Sequence, residues 1–430
     1  MHQRGNHPPF PAPSAKESYA WPTRSKIEDI PASIQVASIG RSRSIDILRG
    51  LVMVLMALDH TRDFWSRADF SPTDLGKTDL AWFLTRWITH FCAPVFVLLA
   101  GVSAFFTSSR REGAGPWARF LIVRGLWLMV LEVTWVRLSW VGNLNYQGTF
   151  LQVIWAIGLA MVVLGVGVLV NAKIFRTGPL GRPDVIGLIG LLIILGHNTL
   201  DDYRGELLSG WIKPLWMMVH QVGSFQVASG YQVTVYYPVL AWIGVLFVGF
   251  YLGFWWSHQK AERAKPLMAL GGIVSCLFLL IRMTQVYGDP SPWVWGQTWD
   301  KTLMSFLNTT KYPPSLAYLM MTLGPALIIL GWMESKNKNI MFNFLSEFGK
   351  VPLFFYLVHL PLIHGSSRIY ATLTLGAQGS LTQGADPKSY GFGLLGVYGV
   401  SALIVFMLFP LCCWFGRLKA QYPSSWIRFL

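Results

Sequence analysis

The run RSIDILRGLVMVLMALDHTRDFW occupies residues 43–65. Its middle, LVMVLMAL, is apolar enough for lipid. Asp46 and Arg49 stand on one side of that middle, and Asp59, His60, Arg62 and Asp63 on the other. An ionisable group at membrane depth costs about 2.5–3.5 kcal/mol on insertion scales. The charges are therefore either the two wet ends of a spanning helix or the lining of a path through protein. Helical geometry bears on the choice. Arg49 and His60 are eleven residues apart, which puts them within ~20° of one face and ~16 Å apart along the axis. Asp46 and Asp63 neighbour that stripe at a spacing of three. The stripe Asp46, Arg49, Met53, Met56, His60, Asp63 is expected to face the protein interior or a water-filled cavity, with Leu51, Leu55 and Leu58 opposite.

The rest of the chain sets this run in a membrane. Of 430 residues, 53% are hydrophobic and 13% charged, against about 25% charged in a soluble domain; the mean hydropathy is +0.43. Apolar runs approaching the ~20 residues that cross a bilayer fall near 45–64, 82–107, 117–138, 150–170, 184–199, 236–256, 266–286, 314–333, 342–363 and 392–415. The expected fold is an all-α polytopic membrane protein with about ten transmembrane helices. The short run 211–222, WIKPLWMMVHQV, reads as an interfacial or re-entrant piece. Residues 1–40 are polar and rich in Pro and Ser, and read as a disordered cytoplasmic tail before a membrane domain, 41–430. The net charge of +14 lacks the aromatic-interleaved module of a nucleic-acid binder. Four cysteines, Cys92, Cys276, Cys412 and Cys413, sit in apolar runs without metal-ligand spacing and read as structural thiols. No metal is expected.

Loop charges orient the chain. The loops 1–44, 108–116, 171–183, 257–265, 334–341 and 416–430 hold most of the Lys and Arg; the opposite set holds most of the acids. Both termini are therefore expected to be cytoplasmic. His60, His90, His197, His359 and His364 then map at or near outer ends and His220 to an outer loop, leaving only His258 cytoplasmic outside the tail. In the second span, FLTRWITHFCAPVFVLLAG, Arg86 and His90 share a face at i,i+4, and Pro94 frees a backbone carbonyl close by.

An Arg, ten residues and a His along a first span resembles the signature of integral-membrane acyltransferases. With RWITHFCAPVFVLLAGVSAFF, GTFLQVIWAIGLAM, KYPPSLAYLMMTLGPAL and FGKVPLFFYLVHLPLIH, the ordered set resembles bacterial members of the heparan-alpha-glucosaminide N-acetyltransferase catalytic-domain family over about residues 41–415. The resemblance implies a bacterial inner-membrane enzyme. It would take acetyl-CoA, or another acyl-CoA, from the cytoplasm and pass the acyl group to a sugar amine or hydroxyl on the periplasmic side. One departure stands out. The lysosomal member is held to use a histidine in its first outer loop, and the corresponding loop here, SRADFSPTDLGKTDLAW, has none. The Arg–x10–His pattern carries onto Arg49 and His60 instead, which leaves the acceptor open as a glycan, a lipid-linked sugar or a small molecule.

Thioester chemistry then assigns expected roles. His60 is the base or a transient acyl carrier, and Asp63, one turn on, would orient its ring. Arg86 and His90 would supply donors to the oxyanion or hold the acceptor. His359 would complete the site. Arg49 would meet the CoA arm or hold Asp46, and Arg110, Arg111, Arg119 and Arg124 are candidates for the CoA phosphates, with membrane-lipid headgroups as the other partner for that group. Glu132 is expected to pair with a helix neighbour or with Arg137. A proton-coupled transporter of a sugar or amphiphile is the rival reading, but the two halves show no matching repeat. Glycine-rich nucleotide loops, HExxH and CxxC are absent from the sequence.

Overall fold

A computed structural model describes residues 42–108, 113–175, 181–203, 205–259, 262–335, 340–376 and 386–422, all within one compact unit, Gly40–Leu430. Of the described residues, 75% are helical. Helix α1 (Arg43–Trp65) leads through an acidic loop to α2 (Leu80–Thr89) and α3 (Cys92–Ser108). Next, α4 (Ala114–Leu131) runs through a π-turn (Glu132–Val136) into α5 (Arg137–Val141). Strand β1 (Gly148–Leu151) precedes α6 (Val153–Phe175), then α7 (Pro183–Gly196), the short α8 (Ile212–Val219) and the hairpin β2 (Gly223–Ala228) and β3 (Tyr231–Val235). Helices α9 (Leu240–His258), α10 (Ala264–Thr284), α11 (Trp299–Leu307), α12 (Leu316–Ser335), α13 (Ile340–Lys350), α14 (Pro352–Leu375), α15 (Pro387–Tyr390) and α16 (Leu394–Gln421) complete the order.

Among the described residues, seven helical stretches are long and apolar enough to cross a membrane: Leu80–Ser108, Val153–Phe175, Pro183–Leu200, Leu240–His258, Ala264–Thr284, Leu316–Ser335 and Leu394–Gln421. Helices also cover the other three expected spans, but the stretch 342–363 is not one continuous helix. It divides at Val351 into α13 and α14. One further difference is a small sheet. Strands join in the order β1-β3-β2, parallel between β1 and β3 and antiparallel between β2 and β3, and the described residues are otherwise helices and their connections. The 211–222 run supplies α8, and the hairpin follows it directly.

Helix α1 is largely enclosed, with Leu51, Val54 and Leu55 half-buried along one side. It packs most extensively on α13 and also on α14, α16, α3, α12 and α2. Met53 and Met56 are buried as the stripe requires, but Ile47, Val52, Ala57 and Leu58 on other faces are buried too. A helix with charges at both ends can sit in the middle of a membrane protein only when neighbours enclose it. Glycines permit the closest crossing. A Cβ on Gly50 would strike the Leu345 backbone, and one on Gly349 would strike the Asp46 backbone, so α1 and α13 meet backbone to backbone.

Prolines open hydrogen-bond acceptors inside the helices. Pro94 leaves the His90 carbonyl without its helical donor, and the Tyr318 hydroxyl donates there at 2.8 Å. Pro361 does the same for the Leu357 carbonyl, which accepts from Trp135 Nε1 at 2.8 Å. In lipid every freed carbonyl needs such a partner, and these two tie α12 to the α2–α3 break and the π-turn to α14.

Candidate active site

His60, in the last turns of α1, meets His359 of α14. Its Nδ1 lies 2.8 Å from His359 Nε2, and the rings stack at 5.0 Å. His359 is fully buried, and its Nδ1 lies 3.0 Å from the Phe355 carbonyl oxygen. A carbonyl only accepts, so His359 carries its proton on Nδ1 and offers a lone pair at Nε2. His60 must then donate through Nδ1–H, which leaves the lone pair of its own Nε2 available. The order Phe355 C=O, His359, His60 thus fixes both tautomers, as second partners of functional histidines do.

Aromatic rings wall this pair. Trp140 of α5 meets the His60 ring T-shaped at 5.1 Å and packs on Phe64 at 5.3 Å. Phe64 in turn stacks on His364 at 4.4 Å. His364 Nδ1 donates to the Ser139 carbonyl at 2.8 Å, and its Nε2 accepts from Arg368 Nε at 2.9 Å. Beside them opens a groove of about 310 Å³ lined by Trp135, Leu138, Ser139, Pro361, His364 and Arg368, among others. Ring contacts from His60 through Trp140 and Phe64 lead to His364 on its lining.

The neighbouring charges form a closed set on the other side. Asp59 accepts from Arg86 Nη1 at 2.6 Å, from Thr89 Oγ1 at 2.8 Å, and pairs with Arg62 at 2.9 Å. No described hydrogen bond joins Asp63 to His60; Asp63 pairs with Arg62 at 2.8 Å. The ring-orienting place expected for Asp63 belongs to His359, because residues three apart on α1 diverge once the ring of His60 turns toward α14. Arg86 is engaged by Asp59. His90 is buried at the α2–α3 break, its ring edge-on to Tyr318 at 5.6 Å, and its Nδ1 has no hydrogen-bond partner among the described residues. Arg86 and His90 therefore border the His60 layer without touching the histidine pair in any described hydrogen bond.

Lys311 and Tyr312, in the loop before α12, complete this layer. Lys311 acts electrostatically on Asp59, His60 and His90, and its Nζ lies 5.1 Å from the Tyr312 ring centre. Burial raises the Tyr312 phenol, but Lys311 and Arg86 outweigh it, so its pKa falls below the ordinary tyrosine value. The KYPP run, a lysine two residues before Pro-Pro among loops rich in acids, was the available signal for this loop.

At the far end of α1, Arg49 Nη1 donates to Asp46 at 3.0 Å and to the Gly349 carbonyl at 3.0 Å, and Nη2 donates to Ser103 Oγ at 2.8 Å. It bolts α1 to α3 and α13. Arg119 is exposed and Arg124 half-buried on α4, whose main packing partner is α6; Arg110 and Arg111 lie outside the described residues. Glu132 does not pair with Arg137. It is buried and accepts from the Trp155 backbone N–H at 2.9 Å, capping α6, while Arg137 donates to the carbonyls of Gly148, Asn143 and Asn145. A helix N-terminus offers unpaired N–H groups to a carboxylate, and that wins over a cation that carbonyls already satisfy. The histidine-rich layer also divides. His197 and His220 form a separate group with rings 6.1 Å apart, His220 on Asp201 at 3.0 Å.

Comparison with known proteins bears on what this arrangement does. No curated protein matches the chain at a significant level. The sequence profile of the heparan-alpha-glucosaminide N-acetyltransferase catalytic domain matches residues 41–287, more than half of the chain, and those residues include α1 and the whole α2–α3 break. The chain belongs to the heparan-alpha-glucosaminide N-acetyltransferase catalytic-domain family and is a membrane acetyltransferase of that family.

Proposed function

We propose that the protein takes an acetyl group from acetyl-CoA on the cytoplasmic side and transfers it to a sugar or glycan acceptor on the periplasmic side, with His60 as the base. The observation that carries this reading is the histidine pair. His359 holds His60 in the tautomer that keeps its Nε2 lone pair available. That nitrogen is suited to take the proton of an acceptor hydroxyl or amine as it attacks the thioester. The proton then leaves on the CoA sulfur as the C–S bond breaks. The groove past Phe64 and His364 gives an acceptor an approach to this layer. The positive-loop bias supports the assignment of sides, since it puts the Arg49 end toward the donor compartment and the His60 end away from it.

In this reading Arg49 and the basic residues Arg119 and Arg124 belong to the donor side. Arg49 already joins three helices, so its first contribution is to hold that end open at a fixed width, and contact with the CoA arm is the second. The test is CoA release from acetyl-CoA by purified protein supplied with an envelope-glycan extract. A positioned base is worth about 10²–10⁴-fold in rate. His60→Ala and His60→Asn should both lose turnover on that scale. Wild-type turnover in both would remove His60 from the chemistry.

A further inference from the structure

We propose that the indole N–H of Trp140 is the donor that stabilises the acyl oxygen during transfer at His60. This rests on the reading of His60 as the base. The Trp140 and His60 rings meet T-shaped at 5.1 Å, and the Trp140 Nε1 is buried with no hydrogen-bond partner among the described residues. An indole nitrogen is a donor only, and leaving one buried and unmade is destabilising. Burial without a partner is not by itself diagnostic, since Trp155 and Trp242 share it. What sets Trp140 apart is its neighbour: its ring meets His60, whereas Trp242 packs on Tyr237 at 5.4 Å.

The local fold explains how the position arises. Five residues before it on the same segment, Trp135 has its N–H satisfied by the Leu357 carbonyl that Pro361 frees. The π-turn Glu132–Val136 lies between α4 and α5, and such turns shift the register of the helix that follows, often at functional sites. Phe64 packs the indole face at 5.3 Å and holds the ring in place. The donor is thus fixed before substrate arrives, as preorganised stabilisation of a developing charge requires.

In the step itself, the acceptor's nucleophilic atom bonds to the carbonyl carbon and gives its proton to His60 Nε2. The carbonyl π pair moves onto oxygen, where the Trp140 N–H meets it. The pair returns as the C–S bond breaks, and CoA leaves as the thiol with the proton from His60.

Trp140→Phe keeps a ring against Phe64 and removes the donor. Loss of one such donor costs about 10²–10³-fold in kcat. The expected result is a fall of that size, with the KM for acetyl-CoA within about twofold and the thermal midpoint unchanged or raised. Replacement of Trp140 by benzothienylalanine, which exchanges N–H for sulfur at nearly the same shape, should give the same loss. Full turnover in the benzothienyl protein overturns the proposal whatever Trp140→Phe does to folding. His60→Ala in the same assay separates the two claims: if it is inactive while the benzothienyl protein is active, only the Trp140 role fails. If His60→Ala is active as well, the reading of the site fails with it.

Discussion

At the scale of single residues, the state of His60 is decided by a neighbour 299 positions away. His359 accepts from His60 Nδ1 because its own Nδ1 is committed to the Phe355 carbonyl. A replacement that still offers an acceptor at the same place should therefore preserve part of the function. His359→Gln is expected to retain turnover within about tenfold of the parent, and His359→Phe to fall toward the 10²–10⁴-fold loss of a misoriented base. Equal losses in steady-state CoA release from the two variants would assign His359 to packing alone. Asp59 makes a different kind of claim. Its carboxylate is shared by Arg86, Arg62 and Thr89, and removing one partner of a buried pair costs about 3–5 kcal/mol. Arg86→Ala should accordingly lower the thermal midpoint in detergent by many degrees. A loss of activity without that drop would move Arg86 from the scaffold into the chemistry.

At the scale of helices, the sequence carried much of the frame and little of the enclosure. Period and charge placed Arg49 and His60 on one face of α1, and the spacing after His90 showed that Pro94 would free a carbonyl. Which group takes that carbonyl was not legible, because Tyr318 comes from a helix 228 positions later in the chain. How far α1 is enclosed was hidden for the same reason: Leu51 and Leu55 are half-buried in a helix that packs on several others. The divided stretch 342–363 was missed because hydropathy is blind to a single non-helical residue at Val351 between two apolar helices. The crossing of α1 and α13 allows a sharp test. Gly50→Ala would drive a methyl group into the Leu345 backbone, whereas a Cβ on Gly272 meets nothing within 4 Å. Overpacking a core costs about 1–3 kcal/mol, and occasionally more. Gly50→Ala should lower the thermal midpoint and the yield of folded protein, and Gly272→Ala should leave both within error. Equal behaviour would mean that the two helices do not approach as closely as described.

At the scale of the whole molecule, the two ends of α1 hold different chemistry. One end has the histidine pair, its aromatic wall and a groove; the other has Arg49 joined to α3 and α13. The family profile ends at residue 287, so His359 and Lys311 come from the part of the chain beyond it, and the site is assembled from both parts. A function that moves an acetyl group between compartments needs those two ends to face opposite sides. The charge bias of the loops gives a definite sense. The His60 end should face the periplasm, since basic loops stay cytoplasmic. Lys77 and Gln259 are both exposed and lie in loops of opposite charge character, before α2 and after α9. Single-cysteine proteins, Lys77→Cys and Gln259→Cys on a background lacking the four native cysteines, should separate the two faces. A membrane-impermeant maleimide should label Lys77→Cys in cells whose inner membrane is intact, and Gln259→Cys only after that membrane is opened. The reverse pattern would invert the protein and put His60 on the acetyl-CoA side, and transfer across the membrane would then fail as a description even if both histidine variants were inactive. Labelling of both before the membrane is opened would mean that the two loops share a face, and the alternation of spans between them would be wrong by one.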